Sequence, residues 1–176
     1  MKQFGSGGVC SPTAATNILW YWGFQRGCSS ITNHSAVVGK STNLLKARAI
    51  FQIMYNGMGT SATDGTSRSK FMDGFSAFFG VNAQDGGVWN YKYIPFASSY
   101  WSYTAALNDD CPIMLSVWTS FTGVLDGKHS MFCLGHAKST DNDNYLFVMD
   151  GWNTYGRFVK FDYYPNIAGY KIWVRS

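Results

Sequence analysis

The spacing of apolar residues changes once along this chain, near Asp110, and no other feature restricts the fold as much. Before that point apolar positions recur at threes and fours, the interval that lines one face of a helix; after it they fall into short β-rich runs divided by turn residues. Ser11-Pro12-Thr13 opens a stretch of small and apolar residues, Ala14 to Trp22, suited to a buried helix ended by Gly23, with Pro12 at home in a first helical turn. From Ser41 to Asn56 the residues Leu44, Leu45, Ala47, Ile50, Phe51, Met54 and Tyr55 keep helical spacing, with Asn43 or Ser41 as cap and Gly57-Met58-Gly59 as stop. Ser67 to Phe79 repeats the pattern up to Gly80, and Tyr100 to Leu107 makes a short fourth helix. Five strands follow, over Pro112 to Trp118, His129 to Ala137, Tyr145 to Trp152, Arg157 to Phe161 and Tyr170 to Val174. Helices followed by antiparallel strands predict one α+β domain over 1–176, a helical part over about 1–110 packed on a sheet part over about 111–176, rather than a parallel βαβ sheet.

Composition removes several function classes. With 46% hydrophobic and 18% aromatic residues against 14% charged, the chain has apolar surface enough for a core and is not disordered. Its longest apolar runs fall far below the roughly 18 residues of a membrane span. The net charge of +4 is scattered, with no basic run or helix face, which argues against a nucleic-acid partner. Solubility by neutral polar residues points outside the cytoplasm. Met1 lies nine positions before Cys10, leaving little room for a pro-segment or export signal, so the expectation is a secreted or cell-surface monomer, present as a processed or truncated chain. The four cysteines, Cys10, Cys28, Cys111 and Cys133, form no C-x-x-C pair and no Cys/His spacing suited to zinc, so no structural metal is expected.

Cys10 stands where Gly7, Gly8 and Val9 run into the start of the first helix, and a helix N-terminus lowers a thiol's pKa and favours the thiolate. The plainer reading is a small buried apolar residue. A thiol nucleophile needs a base and a group to orient it. His34 lies in a polar loop, whereas His129 and His136 share a strand. The segments His129 to Ala137 and Tyr145 to Trp152 flank a polar turn, Lys138 to Asn144, and so form an antiparallel hairpin. If Ala137 faces Tyr145, His129 lies opposite residue 153, within three positions of Asp150, while His136 faces Leu146 beside the turn, four positions from it. The pairing favours His129, with Asp150 to hold the imidazole and Gln3 to offer a side-chain N–H to a developing oxyanion beside the Cys10 backbone N–H.

Together these residues resemble the papain-like cysteine peptidases: Gln3 shortly ahead of a Cys at a helix start, a His opening a strand, and a polar residue closing the next. His129-Ser130-Met131-Phe132-Cys133-Leu134-Gly135-His136 is similar to the family's H-[SA]-x-x-x-[VL]-G-Y strand, and Asp150-Gly151-Trp152-Asn153-Thr154 to its N-S-W-G-T. The plant-type C-G-S-C-W signature is absent. Cys10-Ser11-Pro12-Thr13-Ala14 instead resembles the C-x-P-T-A start of bacterial C39-like relatives of the bacteriocin-leader-processing peptidases and, more distantly, streptopain, and Asp150 replaces the customary Asn. The resemblance implies a papain-like fold, a Cys10-His129-Asp150 triad with Gln3 in the oxyanion site, Trp152 shielding the His129 to Asp150 hydrogen bond, and hydrolysis of a peptide or protein substrate through an acyl-enzyme with no metal or cofactor. The same triad would serve an amidase or acyl transferase on cell-wall or other amides, and a catalytically silent module could keep the fold to bind peptide or glycan.

Overall fold

Small side chains allow the first helix to be buried on most of its circumference. In the computed structural model, which describes residues 8–96, 98–118, 128–163 and 166–175, helix α1 spans Cys10–Trp20 and buries Ser11, Pro12, Ala14, Ala15, Thr16, Ile18 and Leu19. Its polar residues are absorbed locally, the Thr16 hydroxyl donating to Pro12 O at 2.7 Å. Two details differ from the sequence expectation. The helix already begins at Cys10, because Pro12 falls within the first turn, where the missing N–H is no loss. Gly23 does not end it either: the chain runs on through a π-helical turn, Tyr21–Gln25, and Gly23 is needed there because Ile31 Cγ2 lies 2.6 Å from where a Cβ would stand. Ile31 belongs to α2 (Ser29–Thr32), which the apolar spacing is too short to signal. Helix α3 spans Asn43–Gly57 and is capped by Thr42, whose hydroxyl accepts from Leu45 N at 3.2 Å, rather than by Ser41 or Asn43. Helix α4 spans Phe71–Phe79, after a 3-10 turn at Arg68–Lys70, and stops at Gly80 as expected.

The strands are β1 (Trp89–Ile94), β2 (Ile113–Trp118), β3 (Lys128–Lys138), β4 (Asn144–Met149), β5 (Arg157–Lys160) and β6 (Asn166–Val174). They form one sheet in the order β1-β6-β2-β3-β4-β5, and the ladders from β6 through β5 are antiparallel. The chain is α+β. A simple run of helices and then strands needs correction, because β1 precedes α5 (Tyr100–Asn108) in sequence. Two compact units result, one from the residues up to Asn90 with Trp173 onward, the other from Tyr91 to Ile172, so α5 lies with the sheet residues and not in the helical part.

Within the second unit, Tyr103, Ala106, Ile113, Leu115, Val117, Met131, Cys133, Leu146 and Val148 form the core. Two tyrosines of α5 reach main-chain acceptors on the sheet: Tyr103 donates to Ile167 O at 3.1 Å, and Tyr100 is within bonding distance of Ala137 O (3.0 Å) and Tyr145 O (3.2 Å), at the second rung of the β3-β4 hairpin from its turn. Buried hydroxyls must find acceptors, so these bonds fix where the hairpin stands. Among the described residues no helix is long and apolar enough to cross a membrane.

Candidate active site

The β3-β4 hairpin positions the site, and its register changes partway along. Near the turn Ala137 faces Tyr145 and His136 faces Leu146, as the sequence reading supposed, but beyond Gly135↔Phe147 the ladder resumes at Cys133↔Val148 and Phe132↔Met149. Leu134 is the extra residue of a β-bulge, left unpaired and 36% exposed. The shift puts Cys133 into the core with Val148. Carried past Phe132↔Met149, it sets His129 against residue 152 instead of 153. The side chains agree: the His129 and Trp152 rings stack with centroids 4.0 Å apart and planes 11° from parallel.

The ring is held at its edge as well as on its face. His129 Nε2 lies 2.8 Å from the main-chain oxygen of Asp150. A carbonyl oxygen can only accept, so Nε2 carries the proton, and in the neutral imidazole Nδ1 is the lone-pair nitrogen. The expected bond from the Asp150 carboxylate to the ring is therefore corrected: Asp150 is the partner of His129, but through its backbone. Its side chain, fully buried, is occupied elsewhere. Oδ1 accepts from Trp152 N (2.9 Å) and Asn153 N (3.1 Å). Oδ2 accepts from Asn153 Nδ2 at 3.0 Å and pairs with the Arg157 guanidinium at 2.9 Å. Those four donors fill the roughly four lone-pair sites of a carboxylate and leave none for the imidazole. Burial alone would raise the Asp150 pKa, but the Asn153 and Trp152 N–H groups, the Asn153 amide and Arg157 together outweigh it and hold it below the ordinary value.

Local sequence explains this turn. Asp150-Gly151 reverses the chain with Gly151 at φ 78°, a left-handed conformation that glycine adopts without strain. The turn carries Trp152 onto the imidazole while leaving the residue 57% exposed, so the indole covers one face of the ring, beside a bond that runs to the carbonyl. Asn153 and Arg157 were not singled out in the sequence. The available signal was an Asp-Gly-x-Asn turn followed by an arginine opening the next strand.

The other histidines have structural partners. His34 Nδ1 accepts from Ala36 N at 3.2 Å, which leaves Nε2–H to donate to Phe78 O at 2.9 Å, and its ring stacks on Phe78 at 4.2 Å. His136 Nε2 meets Asn108 Oδ1 at 2.8 Å, with an edge contact to Tyr100.

Cys10 belongs to the first unit and the His129 cluster to the second. The thiol is on the first residue of α1, half-buried, with Sγ 4.0 Å from Ser11 Oγ. The preceding loop is fixed by Gly8, which has φ 68° and packs so closely on Ser61 O and Gly65 that a Cβ would collide with main chain. Ser61 and Gly65 close their own turn by two reciprocal backbone bonds of 2.9 Å. This segment, unreadable as sequence, thus buttresses the loop that presents Cys10. Gln3 lies outside the described residues. The four cysteines form no disulfide. Burial pushes the Cys133 thiol up to about 12 and also raises that of Cys111, where Lys171 partly opposes it. Among the described residues no three His, Cys, Asp or Glu side chains converge as metal ligands. No protein-family model matches the chain, and no curated protein matches it.

Proposed function

We propose that the chain is a papain-like cysteine peptidase in which Cys10 is the nucleophile, His129 the general base and acid, and Asp150 the residue that orients the imidazole. The observation that carries this reading is the setting of His129. Its Nε2–H is committed to the Asp150 carbonyl at 2.8 Å and its face to Trp152, which leaves Nδ1 as the basic nitrogen on a ring that cannot turn freely. A structural histidine such as His34 spends both nitrogens on the main chain. A helix dipole at Cys10 adds support, since it favours a thiolate.

In this mechanism Nδ1 takes the thiol proton and the Cys10 sulfur attacks the peptide carbonyl carbon. Gln3 and the Cys10 backbone N–H hold the oxyanion, and the Nδ1 proton passes to the leaving amine as the C–N bond breaks. Water, deprotonated by Nδ1, then attacks the thioester and expels the Cys10 thiolate. The polar, largely neutral surface fits a secreted or cell-surface enzyme acting on peptides.

The test is the pH dependence of iodoacetamide modification, measured by mass spectrometry on the intact protein, beside hydrolysis of a peptide library. One thiol should react rapidly near neutral pH, and Cys10→Ala should remove both that labelling and hydrolysis. His129→Ala should move the pH dependence of Cys10 labelling upward, toward that of an ordinary thiol. Labelling of Cys10 that is indifferent to His129→Ala would refute the reading.

A further inference from the structure

The Asp150 carboxylate, though buried beside the candidate base, does not touch it, and this redistributes the roles in the site. Both restraints on the His129 ring depend on one turn. The Asp150 carbonyl holds the edge and the Trp152 indole covers the face, and the conformation of residues 150–153 is set by the carboxylate gathering the Trp152 and Asn153 N–H groups and the Asn153 amide. The remaining contact comes from outside the turn: Arg157 opens β5, where it pairs with Val148 of β4, and its guanidinium lies 2.9 Å from Oδ2. Of the four donors to the carboxylate, it alone carries a charge. Because Arg157 and Asp150 are anchored at the two ends of the β4-β5 connection, the pair ties the turn to the sheet.

We propose that Arg157 is a positioning residue for His129, acting through the Asp150 carboxylate to aim the Asp150 carbonyl at Nε2 and to seat Trp152 on the imidazole; the catalytic consequence, though not the positioning itself, rests on the peptidase reading above. The arrangement makes a distinctive demand. If the carboxylate held the ring directly, Asp150→Asn would keep an acceptor for Nε2–H and Arg157 would be dispensable. With the carboxylate turned to the loop, an asparagine amide at 150 sets donor against donor, facing Arg157 and Asn153, so loss of either charge loosens the same ring.

The test uses the full chain with isotope-labelled histidine, reading the imidazole nitrogens by NMR, with His129→Gln to assign the signal. This readout exists whether or not the protein hydrolyses anything. In the wild type, above the ring's titration, the His129 proton should reside on Nε2. A ring protonated on Nδ1 overturns the proposal with no variant needed. In Arg157→Gln and Asp150→Asn the Nε2–H resonance should broaden or shift and the Trp152 fluorescence should change, while Arg157→Lys, which keeps a cationic donor for the single bond to Oδ2, should restore both. Catalytic turnover and Cys10 alkylation near neutral pH should fall about 10- to 100-fold in Arg157→Gln, with KM little altered, as expected of a misaimed base. Wild-type His129 signals in a folded Arg157→Gln variant overturn the proposal, and so does an Arg157→Lys variant that behaves like Gln. If the NMR changes appear with no hydrolysis in any variant, the peptidase reading fails and the positioning role stands.

Discussion

Replacing Asp150 by alanine should destabilise the protein well beyond a surface substitution, and the structure sets the size of the effect. The carboxylate is fully buried and accepts from two main-chain N–H groups, one amide and one guanidinium. Bonds to a charged group contribute about 1.5–3 kcal/mol each, and removing one member of a buried ion pair costs about 3–5 kcal/mol. The Arg157 side chain is 42% exposed, so it regains water when its partner is lost. That places the expected cost at the low end, about 3 kcal/mol, and lowers Tm by roughly 6–12 °C for a chain of this size. Urea unfolding followed by tryptophan fluorescence, with wild type and variant compared at equal m, measures it. The pH dependence adds a second constraint. Folding holds the Asp150 pKa below its ordinary 3.8, so the wild-type advantage is complete above that value and fades as pH falls through the lower folded-state pKa. A difference under about 1 kcal/mol near neutral pH, or one that does not narrow in acid, would refute the inference that this carboxylate organises the turn.

Other outcomes follow from the same coordinates. A thiol-specific reagent near neutral pH should modify Cys10 alone in the native chain, because burial pushes Cys133 up to about 12 and raises Cys111, while Cys28 is 3% exposed; all four should react once the chain is unfolded. Gly8→Ala should cost at least about 1–2 kcal/mol for the left-handed backbone alone and, by displacing the loop against Ser61, should slow Cys10 alkylation while leaving the β3-β4 hairpin untouched; full-rate alkylation would refute this buttressing. His136→Ala should lose only the contacts with Asn108 and Tyr100, about 1 kcal/mol of stability, and should leave Cys10 alkylation unchanged where His129→Ala does not.

Legibility in the sequence followed the range of the interactions involved. The helices at Asn43–Gly57 and Phe71–Phe79 were visible because apolar spacing and end signals lie within each segment. The β3-β4 hairpin was visible from its polar turn, where Asn142 adopts φ 65° and Ser139 and Asp143 bond across it. Strand β1 is less legible, although Trp89-Asn90-Tyr91-Lys92-Tyr93-Ile94 is rich in strand formers. Nothing local says that such a run joins a sheet whose other strands lie beyond Asp110.

Sequence alone determined most of the helices and the β3-β4 hairpin with its pairing beside the turn, since these depend on residues near one another in the chain. Tertiary structure decided which atoms meet. The bulge at Leu134 arises where the hairpin fits Cys133 and Val148 into a core built partly by α5, and its register shift, with the turn at Gly151, brings His129 against Trp152. Tertiary structure also decided that Asp150 holds the imidazole by its carbonyl, a group that every residue possesses and no sequence distinguishes, because Arg157 and the turn N–H groups had already claimed the carboxylate.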